Sequence, residues 1–243
     1  MIPLEYEVEH LKNIFLEMID LVRNQMTLTK KALLNADTEV AAEVMRKEGR
    51  VNSYELTIDR ECEDFLALHS PVAADLRLTI AILKMSGSLE RIGDHAYRTS
   101  SFIYDDKLRL NKELVEIVHL AELFDDIDEM LANITKAFET SNVKLARAVF
   151  KKDKIIDKIN KKIPDLMQDY LKNSKDKISN VILVSRIIGK LERSGDHIKN
   201  MSEEIIFYLE SEVIKHKKKN KKITKRFSMP DLKKGNKKHK NFE

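Results

Sequence analysis

Gly87-Ser-Leu-Glu-Arg-Ile-Gly-Asp-His95 and Gly189-Lys-Leu-Glu-Arg-Ser-Gly-Asp-His197 agree at seven of nine positions and stand 102 residues apart. A repeat at that spacing means one structural unit used twice. The spacing also sets the unit's size. Helical periodicity puts the first copy on the third helix of the chain and the second copy on the sixth, so each unit holds three helices. The expected fold is all-α: two tandem three-helix bundles, residues 1–105 and 106–214.

The remaining helices are read outward from these two. Leu4, Val8, Leu11, Phe15, Met18 and Val22 recur at alternating spacings of three and four, which predicts a first helix ending near Leu34. Asp37 or Thr38 can cap a second helix that runs to about Leu68, and Ser70-Pro71 breaks it. The third runs from about Ala74 to Tyr104. Asn111 can cap a fourth, whose stripe is Leu114, Ile117, Ala121, Phe124, Leu131, Ile134 and Phe138. Ser141-Asn142 opens a fifth, expected to kink at Pro164 because proline has no amide for the i−4 bond. Asn173-Ser174 ends it, and the sixth spans about Lys177 to Val213.

Composition agrees with six long helices. Six Gly and four Pro are few breakers for 243 residues, and 35% of residues are charged. The single Cys62 rules out an internal disulfide and fits a reducing cytoplasm. No apolar run reaches the length of a membrane span. Glu5, Glu7, Glu9, Glu17 and Asp20 argue against a signal peptide.

The formal net charge of +4 hides a division. Residues 215–243 carry thirteen basic and two acidic groups, which leaves residues 1–214 at −7. An acidic body with a basic tail excludes the uniformly basic nucleic-acid binder. The tail is expected to be disordered. Contact with an anionic membrane surface is its sharper use, and its lack of interleaved aromatics argues against specific nucleic acid.

On the third helix, Leu78, Ile82, Met85, Leu89, Ile92, Ala96 and Ile103 form one apolar stripe. A second seam lies about 145° away, given about 100° per residue: Leu76, Ile80, Leu83, Gly87, Glu90, Asp94, Tyr97 and Ser101. Arg77, Lys84, Arg91 and Arg98 hold the remaining face. Glu90 and Asp94 thus continue an apolar seam, and Glu192 and Asp196 do the same on the sixth helix. Carboxylates on an inward seam need a cation, a proton or a hydrogen-bond partner.

The middle helices offer matching pairs, Glu48 with Asn52 and Asp153 with Asp157. An i,i+4 pair puts two oxygen ligands on one helix face. Two facing pairs give a cage suited to Fe, Mn, Mg or Zn. By acid count, the second repeat is expected to bind more strongly than the first, where Asn52 is neutral. The glycines of the signature fit either close helix packing or room for a ligand. His95 and His197 project off the seam, where a surface or capping role is expected over ligation.

The repeated signature and Pro71-Val-Ala-Ala-Asp-Leu-Arg77 resemble the PhoU family of phosphate-transport regulatory proteins over residues 1–214. The resemblance implies metal clusters on paired Glu/Asp-x-x-x-Asp motifs, with iron foremost and zinc, manganese or magnesium in its place. Carried over, the ligands are Glu48, Asn52, Glu90, Asp94, Asp153, Asp157, Glu192 and Asp196. It also implies a cytoplasmic, homodimeric negative regulator that links the ATPase of a phosphate ABC transporter to a sensor histidine kinase. No triad, P-loop or Gly-rich cofactor loop is present in the sequence, so no catalytic turnover is expected. The alternatives are a ferritin-like di-metal protein, suggested by Glu7-Val-Glu-His10 and Glu116-Ile-Val-His119, and a helical scaffold docking through its tail.

Overall fold

The computed structural model describes residues 4–105, 109–172 and 178–211, and among them there are helices and no strand. The helices are α1 (Leu4–Asn35), α2 (Thr38–His69), α3 (Ala73–Tyr104), α4 (Lys112–Ile117), α5 (Leu120–Glu139), α6 (Val143–Asn160), α7 (Ile163–Lys172) and α8 (Ile178–Glu210). No helix among the described residues is long and apolar enough to cross a membrane. The basic tail, Asp106 in the link, and the break expected at Asn173-Ser174 lie outside the described residues.

Local chemistry sets the helix starts. Asp37 Oδ1 accepts the amides of Glu39 and Val40, each at 3.0 Å. Asn142 Oδ1 caps α6 through Lys144 at 3.0 Å and Leu145 at 3.4 Å. Asn111 accepts from Leu114 at 3.4 Å. Each cap satisfies amides that the first helical turn leaves without carbonyl partners. Ser70 adopts a left-handed conformation and ends α2 just before Pro71.

Two expected helices are each divided. The fourth breaks at Val118 and His119, where His119 takes a φ of 53°. The break shifts the phase of the stripe: Val118 and Leu120 are buried, while Ile117 and Ala121 are only half-buried. The fifth stops at Asn160 and restarts at Ile163. Pro164 therefore lies in a first turn, where its missing amide breaks no bond, rather than at a kink in mid-helix.

Helices α1, α2 and α3 pack on one another, and so do α5, α6 and α8; α3 against α8 and α1 against α5 join the two sets. These helices form one compact unit. The join is antiparallel. Arg77 Nε donates to the Tyr208 carbonyl at 3.3 Å, Lys84 pairs with buried Glu204 at 3.3 Å, and Arg186 stacks over the Phe102 ring. On the other pair, Phe15 meets Phe138 edge-on at 4.8 Å. Arg23 pairs with Asp128 at 3.2 Å and Lys30 with Asp125 at 2.6 Å.

The first apolar stripe of α3 is buried along its whole length. The second seam is not. Leu76 is 36% exposed, and its repeat counterpart Ile178 is 53% exposed. Ile182, the counterpart of Ile80, is 56% exposed. The seam is therefore partly covered, with exposed apolar residues at one end and acids further along.

Candidate metal centre

In the first repeat, Glu48 rises from α2 between the buried positions Val44 and Val51. Gln25 on α1 donates through Nε2 to Glu48 Oε2 and to the Val44 carbonyl, each at 3.4 Å. Gly93 on α3 admits this arrangement. A Cβ there would lie 3.1 Å from Gln25 Oε1, 3.2 Å from Val51 Cγ1 and 3.4 Å from Glu48 Oε2. The absence of a side chain at Gly93 thus leaves room for close packing around the carboxylate. Burial pushes the Glu48 carboxyl up to about 7; the Gln25 hydrogen bond opposes the rise, and Asp94 and Glu90 add to it. Gln25 Oε1 is buried without a hydrogen-bond partner.

The rest of the first cluster lies around Glu48. Arg98 Nε reaches both oxygens of Asp94 at 2.8 Å from one turn along the same helix. Glu90 pairs with Arg91 at 3.3 Å. Asn52 is exposed. A further carboxylate, which the sequence reading left out, belongs here. Glu55 lies seven residues beyond Glu48 on the same face of α2, and its Oε1 would be 3.6 Å from a Cβ at Gly87. Burial, with help from Glu90 and Asp59, raises the Glu55 carboxyl above its ordinary value. The first repeat therefore gathers four acids, not three: Glu48, Glu55, Glu90 and Asp94.

The second repeat is arranged differently. Lys199 on α8 places Nζ 3.0 Å from Asp153 Oδ2 and 2.8 Å from Asp196 Oδ1. Burial alone would lower the Lys199 ammonium, but its hydrogen bonds to Asp196 and Asp153 outweigh that and raise it. Burial keeps Asp153 above its usual range although Lys199 pulls it down. Asp157 and Glu192 lie apart from that bridge. They line a cleft of about 360 Å³ with Asn160, Lys161, Ile163, Pro164, Ser185, Ile188 and Gly189. Burial, Asp196 and Asp157 together raise Glu192. Gly189 has open space around its Cβ position. Both amide atoms of Asn160 are buried without partners.

Among the described residues, no three His, Cys, Asp or Glu side chains converge as a ready-made metal site. The donor chemistry of the first repeat fits a hard or borderline cation. Its half-buried carboxyl is raised, its neighbours are acids, and the nearest guanidinium grips Asp94 from the rim. In the second repeat an ammonium already fills the space between two of the four proposed ligands, so those residues do not fit a metal in the same way.

His95 corrects the expected surface or capping role, being only 8% exposed. Its Nδ1 lies 2.9 Å from Ser194 Oγ, and its ring centroid is 5.9 Å from that of His197. The two histidines sit where α3 crosses α8. In the two Glu-x-x-His segments, His10 pairs with Glu61 at 3.9 Å and His119 with Glu122 at 3.5 Å.

The PhoU domain family model matches residues 15–103 and 120–205, one stretch on each repeat. The phosphate-specific transport system accessory protein PhoU homolog of Pseudomonas putida is 32% identical over 212 residues, 86% of this chain and 82% of that protein. The Escherichia coli phosphate-specific transport system accessory protein PhoU is 27% identical over 210 residues, 86% of each chain. The crystal structure of PhoU from Pseudomonas aeruginosa superposes with a TM-score of 0.80 at 30% identity, covering 86% of this chain and all of that one. That of the phosphate transport system regulatory protein PhoU from Streptococcus pneumoniae gives 0.75 at 28% identity, covering 87% and 99%. With the family's domain matched on both repeats and its fold reproduced along nearly the whole described body, the chain belongs to the PhoU family.

Proposed function

We propose that this chain is a cytoplasmic accessory protein of a phosphate uptake system and restrains uptake and the phosphate-starvation response when phosphate is plentiful. The observation that carries this reading is the match of the PhoU domain to both repeats. In this role the chain is a homodimeric adaptor between the ATPase of a phosphate ABC transporter and a sensor histidine kinase, working by docking rather than by turnover. Disruption of the gene in its host tests it. In phosphate-rich medium, phosphate uptake and a starvation-response reporter should both rise, and the wild-type gene should restore both. A reporter that stays silent with uptake unchanged refutes the regulatory role.

Metal binding is part of the same proposal, with the first repeat as its place. Glu48, Glu55, Glu90 and Asp94 would hold the ion, iron or another transition metal. A bound cation there would neutralise facing acids and tie α2 to α3. The support is the raised Glu48 carboxyl and the close approach that Gly93 allows.

A further inference from the structure

We infer that Lys199 is a built-in counter-ion that closes the acidic site of the second repeat to metal, leaving the first repeat as the metal-dependent one. The inference rests on the reading above only in taking the acidic seam as the place where a metal would enter.

The geometry is specific to this lysine. Its ammonium bridges two helices, with Asp153 on α6 and Asp196 one turn back on α8, at 3.0 and 2.8 Å. Those are distances of charge-assisted hydrogen bonds. The Asp153 side of the bridge is sheltered, with 11% of that side chain and 30% of the Lys199 side chain exposed, while Asp196 is 52% exposed. A tethered ammonium is present at every instant, whereas a free ion must arrive from solution. For a divalent ion to use both aspartates, both ion pairs must break. The freed ammonium would then stand beside the incoming charge in a partly buried place.

The acids left over do not make a substitute. Asp157 and Glu192 open onto the cleft with the neutral Asn160 and Ser185, and among the described residues no third carboxylate, His or Cys converges with them.

The repeat itself supplies the control. At the offset of 102 residues, Lys199 corresponds to Tyr97, which carries no charge. The cation of the first repeat, Arg98, holds Asp94 from within its own helix and is 61% exposed. It pairs within its own helix, and its charge reaches Glu48 on the facing helix only at longer range; among the described residues the side chain that hydrogen-bonds Glu48 is the neutral Gln25. One signature thus meets two fates, a closed ion-pair bridge in one repeat and an open carboxylate cluster in the other.

The test is a Mn²⁺ titration of full-length protein stripped by chelator and dialysed, with free Mn²⁺ counted by electron paramagnetic resonance. Lys199→Met should bind about one more ion per chain than the wild type. Asp153→Asn with Asp196→Asn should bind as the wild type does. Equal uptake by Lys199→Met and wild type, at matching helical circular dichroism, overturns the inference. So does loss of an ion in the double asparagine variant. If Lys199→Met folds poorly, Lys199→Gln removes the charge while keeping one donor, and the same readings apply. Glu48→Gln with Asp94→Asn addresses the first repeat alone: unchanged uptake there refutes the metal reading of that repeat without touching the role of Lys199.

Discussion

His95 donates its Nδ1 proton to Ser194 Oγ at 2.9 Å, across the crossing of α3 and α8. The direction follows from the serine. Its single hydroxyl proton goes to the Lys190 carbonyl at 2.9 Å, so Oγ can only accept from the ring. Burial, aided by the nearby Lys190 and His197, holds His95 down to about 4, so the ring is neutral near pH 7. Ser194 occupies the signature position where the first repeat has Ile92. That mismatch is the donor's partner. Ser194→Ala leaves a buried N–H unpaired and should cost about 1–3 kcal/mol. Urea unfolding measures it; a loss under about 0.3 kcal/mol contradicts the assignment.

His95 and Glu48 should give opposite pH dependences. The unfolded chain protonates this histidine below 6.5 while the folded chain resists until about 4, so stability is lost as pH falls through that window. Glu48 behaves in reverse. The folded chain keeps a proton that the unfolded one releases between 4.5 and 7, so stability is lost as pH rises. Each effect is at most about 3.5 kcal/mol, since one pKa unit is about 1.4. Glu48→Gln removes the second effect. After metal removal, the variant's advantage over wild type should grow from pH 4.5 to pH 7. A constant difference across that range rules out the raised carboxyl.

Much of this was written locally in the chain. Asp37, Asn111 and Asn142 cap helices because capping depends on a side chain and the amides two or three residues ahead. The buried stripe of α3 follows from periodicity alone. Three features were not legible. Leu76 and Ile178 share a seam with the acids, but periodicity fixes direction and not cover, and their side remains open. His95 lies off both apolar stripes and is buried because a helix from the other repeat covers a third face of α3. Lys199 reaches across to α6 along a flexible four-carbon stem, which no helical wheel shows. Glu55 could have been found, since it stands two turns beyond Glu48 on the same helix face.

The signature glycines should separate under alanine substitution. All are in helical conformation, none with positive φ. At Gly189 a methyl meets nothing within 4 Å, so Gly189→Ala should stabilise by about 0.5–1 kcal/mol through helix propensity. At Gly93 the same methyl comes within 3.1 Å of Gln25 and 3.2 Å of Val51. Gly93→Ala should therefore destabilise by about 1–3 kcal/mol, the range for overpacking. Thermal unfolding of the two variants in parallel decides it. A Gly93→Ala protein as stable as Gly189→Ala means that Gln25 and Val51 yield easily and the close approach is not needed.

Phe15 tests whether the two repeats fold as one. It is fully buried on α1 and packs edge-on against Phe138 of α5, whose ring lies 6.1 Å from Tyr208 of α8. Phe15→Ala removes a large side chain from a packed join and should cost about 3–5 kcal/mol. Because that contact joins the halves, the loss should appear as one earlier transition for the whole body. Circular dichroism in urea reads total helix. Proteolysis at rising urea, with fragments identified by mass, reads each repeat separately. The join predicts a single midpoint by both probes, shifted down together. If the first repeat becomes protease-sensitive while residues of the second stay protected at the wild-type midpoint, the repeats are independent folding units and the aromatic contact only docks them.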